Sequence, residues 1–403
     1  MVEEAESSRL SGAAVRLELA GDRMAVLAAI RSDLGPDKPL GGQRIALCGH
    51  VTAETAVQVN TLVELGAELV WAASSTSTTD DDIAELVRRS GVVVHGRRGM
   101  SEEDLRLGAL AALRAWPQGP TMVLDEGAVM IRALHGELAD VPAPVLASEK
   151  TPDGLTVLED LDKLRFPVVK SDESFGKHAV DNPHGTAQSL VETIATVSGR
   201  MLAGKVFVVA GYGRVGTGVA AKARGLGARV IVTEVDATRA LLAVLDGFEV
   251  LPMAKAAAVG DFFCTVTGAA GVIHREHFAV MKSGAVLANG GHLPVELDVA
   301  ALYGMTKRQP LSPQGTEILE LDDGRKLTLL GGGNIVNLAA GRGNASEVMD
   351  VTFASQVLAL LNVLPQASAL APGLHPLPPE CDEYVARALA SSLGIDLSAD
   401  EDS

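Results

Sequence analysis

The sequence is poor in aromatic residues and in basic charge. Aromatic side chains make up 3% of its 403 residues, and 34 Lys and Arg face 51 Asp and Glu, so the net charge is −17. Nucleic-acid surfaces need basic patches and usually stacking rings. The composition therefore predicts no nucleic-acid partner, and a chain of this length is expected to form two or three domains.

Cysteine is also scarce, and its spacing excludes the usual disulfide and metal patterns. The three cysteines, Cys48, Cys264 and Cys381, are widely separated and form no Cys-x-x-Cys pair. Neither a disulfide framework nor a zinc site is indicated, so no metal is expected. Cys48 and Cys264 lie inside apolar runs, where a free cysteine behaves as a small hydrophobic residue. Both are predicted to be buried.

Long apolar runs are missing as well. The sequence contains no uninterrupted apolar stretch of about 18 residues, the length that a membrane-spanning helix needs. Residues 1–12 are acidic and polar, without the basic and apolar regions of a secretory signal. We therefore expect a soluble, cytoplasmic protein with no membrane partner.

The most informative segment is residues 205–234. An apolar run leads into a Gly-x-Gly-x-x-Gly motif, an alanine-rich stretch follows, and a second apolar run ends on an acidic residue. In a dinucleotide-binding βαβ unit, the glycines permit a tight turn, close approach to the pyrophosphate and close helix packing, while the helix N-terminus faces the phosphates. The predicted cofactor contacts in this segment are Gly211, Gly213, Arg214, Val215, Gly216 and Glu234.

The acidic residue at the end of the unit selects between the two nicotinamide dinucleotides. Glu234 can accept hydrogen bonds from both ribose hydroxyls, and its charge repels a 2′-phosphate. The expected cofactor is therefore NAD and not NADP.

Segments resembling strands and helices alternate elsewhere in the chain. In the first half, strand-like segments lie at 44–48, 68–71, 92–95 and 121–124, and helix-like segments lie at 52–65, 81–89 and 102–115. Such alternation predicts a parallel α/β sheet. A polar stretch, 170–185, is the expected hinge before a helix at 186–197 and the NAD unit. Strand-like segments at 262–266, 285–289 and 327–330 are expected to complete a six-stranded Rossmann-like sheet.

Several separated motifs resemble, in order and spacing, the S-adenosylhomocysteine hydrolase family. The resemblance spans roughly residues 25–365, and it is carried by segments 37–56, 124–127, 148–154, 177–182, 211–216, 289–292 and 331–344. It implies an α/β fold of two Rossmann-like, doubly wound domains that enclose a cleft. It also implies a tightly held NAD, a small-molecule nucleoside substrate, and a homo-oligomer, either a tetramer or a dimer.

The same resemblance implies the domain plan. The substrate domain is expected at 1–172, with a returning segment at 345–372 that includes a helix over 346–361. The NAD domain is expected at 183–344, and residues 373–403 are expected to form a C-terminal tail.

Family chemistry gives the matched residues their expected roles. NAD oxidises C3′ of a ribonucleoside, the C4′ proton is removed, the 5′ substituent leaves, water adds, and the ketone is reduced again. Lys177 matches the base for the 3′-hydroxyl, and Asp181 the residue that orients the substrate hydroxyls. Asn182 matches a residue near the nicotinamide. His50 resembles the histidine that handles protons at the 5′ position, and His292 one between cofactor and ribose.

The chain departs from the family in the expected substrate pocket. Lys150 replaces a ribose-binding glutamate, and Pro152 and Asp153 replace two threonines near NAD. Glu126 replaces an aspartate, and it is grouped with the catalytic residues as a candidate acid. Asn344 replaces a histidine near the adenine. A reversed charge at a ribose contact costs several kcal/mol if the ligand is unchanged, so a changed ligand is the simpler interpretation.

Further expected contacts follow from the matched motifs. Arg239 replaces an asparagine in the NAD unit, and the lysine and tyrosine that end the family sequence have no counterpart here. The expected substrate contacts are Thr52, Glu54, Lys150 and Asn344. The remaining expected cofactor contacts are Thr151, Asn182, Arg239, Thr267, Gly290, Gly291 and Asn337.

Three functions are compatible with this pattern. The favoured one is an NAD-dependent nucleoside lyase, a 4′,5′-dehydratase that acts on a modified adenine nucleoside. The alternative is an authentic S-adenosyl-L-homocysteine hydrolase. A non-catalytic NAD-binding paralogue that regulates a partner is disfavoured, because a binding module has no need of His50, Lys177, Asp181 and His292 together.

Overall fold

A computed structural model of the protein describes residues 2–76, 78–308, 312 and 315–397. The chain divides into two compact units, the first made of Met1–His178 with Ser346–Ser403 and the second of Ala179–Ala345. The division falls inside the polar stretch 170–185. That stretch contains a π-helical segment, Gly176–Thr186.

The first unit is built on a parallel sheet whose central strands are buried. In the described part of this unit the strand order is β15-β6-β5-β4-β1-β2-β3. Its strands are β1 (Arg44–Gly49), β2 (Glu68–Ala73), β3 (Val93–His95), β4 (Met122–Asp125), β5 (Leu146–Glu149), β6 (Pro167–Lys170) and β15 (Gly373–Pro376). Apolar side chains such as Trp71 and Phe166 fill the core, and the predicted burial of Cys48 is confirmed.

Several helices of the first unit begin at a polar side chain that caps them. Thr52 accepts the Thr55 N–H and so caps the following helix. The helices are α1 (Val2–Arg23), α2 (Ala25–Leu34), α3 (Ala53–Glu64), α4 (Asp81–Arg89), α5 (Glu102–Leu113), α6 (Val129–His135), α7 (Pro152–Glu159), α15 (Ser346–Val363) and α16 (Pro379–Ser392). The first helix and strands β5 and β6 were not predicted, because their short or polar sequences carry little periodicity.

The expectation of a separate C-terminal tail is wrong for the described residues. β15 pairs in parallel with β6, and α16 packs against α15 and α2. Cys381 and Val385 of α16 are fully buried, which explains why this segment joins the first unit despite its many proline and acidic residues. Asp382 of the same helix also accepts the Phe175 N–H at 2.9 Å.

One helix of the first unit has the length and composition of a membrane span. The segment Ser346–Ala369 has a mean hydropathy of 1.5, but 67% of its most apolar window is buried inside the protein. Its α-helical part, α15, packs against α2, α3, α16 and β5. This burial is typical of the central helix of a folded domain.

The second unit contains a larger, mixed sheet. In its described residues the strand order is β12-β13-β14-β11-β10-β7-β8-β9, with β12 and β13 antiparallel to their neighbours and the rest parallel. The strands are β7 (Val206–Ala210), β8 (Arg229–Thr233), β9 (Glu249–Val250), β10 (Phe262–Thr265), β11 (Val286–Asn289), β12 (Thr306–Arg308), β13 (Thr316–Leu321) and β14 (Lys326–Leu330). The Rossmann-like core was predicted, and the buried Cys264 lies in it.

The predicted count of six strands in this unit is wrong, since eight are described. Five of the eight strands coincide with the apolar segments named from the sequence, and the other three are the two-residue β9 and the antiparallel β12–β13 hairpin at the sheet edge. The helices are α8 (Ala187–Ser198), α9 (Arg214–Gly225), α10 (Ala237–Leu245), α11 (Met253–Val259), α12 (Arg275–Phe278), α13 (Val299–Gly304) and α14 (Val336–Ala339).

A buried carboxylate on α15 caps α2 from a distant part of the sequence. Met24, which precedes α2, makes no side-chain cap. Instead, Asp350 accepts the Val26 N–H at 2.7 Å and the Leu27 N–H at 2.8 Å. Burial raises the pKa of Asp350 to about 6. The returning helix α15 therefore supplies the hydrogen-bond acceptor for the first N–H groups of α2.

We expect Asp350→Ala to lower the free energy of unfolding by about 1–3 kcal/mol, because two buried N–H groups lose their acceptor. The folded carboxyl keeps its proton to a higher pH than the unfolded chain does. Its contribution to stability is therefore full in acid and is lost as the pH rises through about 6. Denaturant unfolding should show a larger loss near pH 5 than near pH 7.

Glu347→Ala is the matched control, because Glu347 is an exposed carboxylate in the first turn of the same helix. It should change the free energy of unfolding by about 0.5 kcal/mol or less. Equal losses in the two variants would show that Asp350 does not act as the cap of α2.

Candidate active site

Three polar side chains follow neighbouring strands of the first unit. His50 comes directly after β1, Glu126 after β4, and Lys150 after β5, and these strands are adjacent in the sheet. The carboxyl ends of parallel strands meet at one edge, which is where α/β folds bind ligands. The sheet therefore brings together three residues that the sequence assigned to the pocket.

Glu126 bridges the other two side chains. Its Oε1 lies 2.9 Å from His50 Nε2, and its Oε2 lies 3.1 Å from Lys150 Nζ. The side chains of Glu126 and Lys150 are only 6% and 10% exposed, so both ionic groups are largely removed from water. Lys150 Nζ also lies 4.8 Å from the ring centre of Phe353 on α15. Lys150, whose charge is opposite to that of the glutamate in the family motif, is thus held by an ion pair and a cation–π contact.

Behind this cluster lie two buried carboxyl groups that hold the surrounding backbone. Glu149 accepts the N–H groups of Gly127, Ala128 and Thr151, and Asp125 accepts that of Ile131. Burial, followed by the charge of Glu149, raises the pKa of Asp125 to about 8, and burial likewise raises the pKa of Glu149. These two residues fix the loop that carries Glu126. They were not predicted as site residues, although both end buried strands.

Other predicted residues of the first unit lie in defined local contacts. Glu54 Oε1 accepts from the Ser346 hydroxyl at 3.0 Å. The Thr151 hydroxyl donates to Glu149 at 2.6 Å and caps α7. Lys177 stands at the start of the π-helical segment, where its N–H donates to the Ser174 hydroxyl at 3.1 Å. Their roles in binding stay predictions.

Gly211, Gly213 and Gly216 of the second unit differ in the physical reason that favours glycine at each position. Gly211 has a φ of +100°, which other residues rarely adopt. A Cβ on Gly216 would lie 2.1 Å from the Gly211 carbonyl oxygen, so the first turn of α9 packs directly on the loop. A Cβ on Gly213 would meet only Arg239 Nη1, at 3.8 Å. The space in front of Gly213 is open, as the approach of a pyrophosphate requires.

Glu234 follows β8 and is held by the backbone around the glycine loop. It accepts from the N–H groups of Tyr212, Val235 and Asp236 at 2.8, 2.7 and 3.0 Å. Partial burial alone would raise its pKa, but these N–H donors and nearby Arg239 lower the pKa below the ordinary value. Glu234 is therefore a fixed acceptor, and its contact with the ribose hydroxyls stays a prediction.

The loops after β10 and β11 are also built on tight contacts. Thr267 donates through both its N–H and its hydroxyl to the buried Glu296. A Cβ on Gly291 would lie 1.9 Å from Glu296 Oε1, and a Cβ on Gly290 would lie 2.7 Å from Leu190. His292, next in the chain, is exposed. The glycines of this motif are needed for packing, and their contact with a cofactor stays a prediction.

Three residues predicted for different roles meet in the second unit. Asp181, Asn337 and Asn344 belong to one network of side-chain hydrogen bonds, which also includes Thr186 and Ser189. Asn182, beside Asp181, is 9% exposed. The Oδ1 atom of Asn337 is buried without a hydrogen-bond partner. Thr186 and Ser189 were missed, because small hydroxyl residues carry no motif of their own.

The residues of the second unit fit NAD. The open face of Gly213 suits a pyrophosphate, and the N-terminus of α9 begins directly behind it. Glu234 suits a ribose with free hydroxyls and opposes a 2′-phosphate. The orphaned Asn337 Oδ1 suits an amide N–H, such as that of a carboxamide.

Comparison with known proteins agrees with these observations. The model of the "S-adenosyl-L-homocysteine hydrolase, NAD binding domain" family matches residues 182–343. The chain is 43% identical over 386 residues to adenosylhomocysteinase from Aquifex aeolicus, covering 94% of this chain and 91% of that protein. Adenosylhomocysteinase from Aeropyrum pernix is 42% identical, with 94% and 92% covered. S-inosyl-L-homocysteine hydrolase from Methanopyrus kandleri is 38% identical, with 94% and 90% covered.

We expect Gly213→Ala to fold normally but to bind NAD at least about 10-fold more weakly, because the new methyl group occupies only the space needed by the pyrophosphate. Gly216→Ala should weaken both folding and NAD binding, since its Cβ collides with backbone. The measurements are thermal melting and titration calorimetry with NAD, after release of NAD that co-purifies.

Gly225→Ala provides the control, because Gly225 ends the same helix and a Cβ there meets no atom within 4 Å. It should retain both the melting temperature and the NAD affinity. Should Gly213→Ala bind NAD as tightly as this control, the assignment of the pyrophosphate site would be wrong.

Proposed function

Because the chain belongs to the S-adenosyl-L-homocysteine hydrolase family, we propose that it is an NAD-dependent enzyme that oxidises C3′ of a modified adenine nucleoside and eliminates its 5′ substituent. The observation that carries the finer part of the proposal is the contact of Lys150 with Glu126 and Phe353. A lysine fixed in this way is part of the pocket. It is therefore a determinant of which sugar binds.

The oxidation uses the groups matched to the family. NAD, when bound, supplies a reversible acceptor for the hydride on C3′. Lys177 takes the proton of the 3′-hydroxyl as that hydride leaves, and later returns it. Asp181, buried in the second unit, accepts hydrogen bonds from the sugar hydroxyls and orients them. The 3′-ketone then acidifies the C4′ proton.

Elimination needs an acid at the leaving group, and Glu126 with His50 supplies it. The two side chains lie within hydrogen-bond distance, so one proton can be shared between them. A 5′-hydroxyl is a poor leaving group and must depart as water, which requires that proton. The shared proton leaves with the 5′-hydroxyl as water, and the C4′ proton passes to the Glu126–His50 pair, so one water is lost in total. With the hydride held by the cofactor returned to C3′, the product would be a 4′,5′-unsaturated nucleoside.

Lys150 indicates what distinguishes the substrate. An ammonium group has three N–H donors and no acceptor, whereas a carboxylate accepts only. A hydroxyl that donates to a family glutamate would lose its acceptor here. A sugar that presents an additional oxygen near C2′ or C1′ would instead receive a donor. We therefore assign the substrate as an adenine nucleoside altered at that side of the sugar.

The second candidate is the ordinary hydrolysis of S-adenosyl-L-homocysteine to adenosine and homocysteine. The identity of 43% to an adenosylhomocysteinase supports it. In that case Lys150 is a compensated substitution, and water adds to the alkene before the ketone is reduced. One relative is named S-inosyl-L-homocysteine hydrolase, so the identity of the nucleoside base also has to be tested.

We expect sugar-modified adenine nucleosides to lose the mass of one water on incubation with the enzyme, while S-adenosyl-L-homocysteine releases little homocysteine. Mass spectrometry and a thiol assay measure the two products, and the matching hypoxanthine compounds test the base. Efficient homocysteine release without any dehydrated product would show that the protein is an S-adenosyl-L-homocysteine hydrolase and not a dehydratase.

We expect Lys177→Ala to bind NAD but to form no reduced cofactor, because no base takes the 3′-hydroxyl proton. His50→Ala should accumulate reduced cofactor and should release the 5′ substituent at least about 100-fold more slowly. Absorbance at about 340 nm after mixing follows the first step. If both variants show the same defect, with neither accumulating reduced cofactor, the division of roles is wrong.

A further inference from the structure

A directional set of hydrogen bonds joins Asp181 to Asn337 in the second unit. Asn344 Nδ2 donates to Asp181 Oδ1 at 2.7 Å, and Thr186 Oγ1 donates to the same oxygen at 3.0 Å. Ser189 Oγ donates to Asn344 Oδ1 at 2.8 Å. Asn337 Nδ2 donates to Ser189 Oγ at 2.8 Å and to Asn344 Oδ1 at 3.3 Å. We call Thr186, Ser189 and Asn344 the relay.

The relay uses its donors in one direction. Both hydrogens of Asn344 Nδ2 point toward Asp181 and Thr186, the latter at 3.1 Å. Both hydrogens of Asn337 Nδ2 point back into the relay. Asp181 Oδ1 therefore ends the set as a pure acceptor. A carboxylate held by two donors has little freedom to rotate.

The other end of the set fixes the orientation of an amide. Because Asn337 Nδ2 is engaged, its Oδ1 must point away from the relay, and this atom is buried without a partner. A buried acceptor without a donor is costly, which favours a ligand that supplies an N–H. The relay thus sets the direction of one group expected to face the cofactor and of another expected to face the substrate.

We propose that Asn344, with Thr186 and Ser189, is a positioning residue that holds Asp181 and Asn337 in the orientations needed for oxidation of the sugar. The proposal rests on the proposed function and replaces the sequence-based expectation that Asn344 contacts the base. Its amide is already committed on both sides, to Asp181 through Nδ2 and to Ser189 through Oδ1. Asn344 therefore acts through other residues and not on the nucleoside itself.

Asn344→Asp is the most informative variant, because it keeps the shape of the side chain and replaces the donor facing Asp181 with an oxygen. The new carboxylate then faces the carboxylate of Asp181, so a proton must lie between the two before the wild-type hydrogen-bond geometry can form. We expect first-turnover reduction of the cofactor, relative to wild type at the same pH, to fall about 10- to 100-fold near pH 8. It should recover substantially near pH 5.5, since the shared proton replaces the lost N–H donor.

Variants of Thr186 and Gln188 supply the controls. Thr186→Val removes a donor to Asp181 at constant size and should slow the first turnover, while Thr186→Ser should retain more of the rate. Gln188→Glu adds the same charge at an exposed position of α8 without touching the relay, and it should leave the rate and its pH profile unchanged. Thermal melting and the NAD content identify any variant that fails to fold.

The outcomes separate this proposal from the proposed function. If the wild-type enzyme reduces its cofactor with a nucleoside but Asn344→Asp is equally fast near pH 8, the relay is not a positioning device. If Asn344→Asp instead changes only the KM ratio between adenine and hypoxanthine nucleosides, Asn344 contacts the base and the proposal is overturned. If the wild-type enzyme reduces no cofactor with any nucleoside, the proposed function itself fails.

Discussion

The polar cluster of the first unit depends on one carboxylate shared between two basic side chains. Glu126 is almost fully buried and contacts both His50 and Lys150. A carboxylate in that position is costly unless it is paired, and removing either partner would leave a buried charge. The parallel sheet makes the sharing possible, because three adjacent strands end at the same edge. Buried Asp125 and Glu149 then hold the loop that carries the bridge.

In the second unit, the residues predicted to surround the cofactor are fixed by backbone groups and by neutral side chains. The glycine loop opens a space, three N–H groups orient Glu234, and neutral amides and hydroxyls orient Asp181 and Asn337. Neutral donors hold a carboxylate in place without adding a charge to the site. The proposed oxidation, in which a hydride and a proton leave neighbouring atoms, would benefit from that arrangement.

Much of the architecture could be predicted from local sequence. Apolar runs separated by helix-like segments located most of the parallel strands, the segment 52–65 located α3, and the glycine spacing located the NAD unit. What could not be predicted depends on contacts between distant residues. Asn344 and Asp181 are 163 residues apart, so no local pattern shows that their side chains are bonded.

The C-terminal segment was mistaken for a tail for a related reason. Its composition is rich in proline and acidic residues, and its buried side chains, Cys381 and Val385, are too few to give a periodic signal. The pairing of β15 with β6 depends on a sheet edge formed by a distant part of the sequence. The burial of Lys150 among Glu126 and Phe353 was equally hidden, because Phe353 comes from the returning helix.

The cap that Asp350 places on α2 has a consequence for how the chain is made. Val26 and Leu27 leave the ribosome more than 300 residues before the side chain that satisfies their N–H groups. The second unit is continuous in sequence, whereas the first unit needs both ends of the chain for its sheet and helices. Since domains fold as units during synthesis, all residues of the second unit are made before those of the first unit are complete. The first unit lacks the helix that carries Asp350 and the strand that pairs with β6 until the segments after Ala345 have been made.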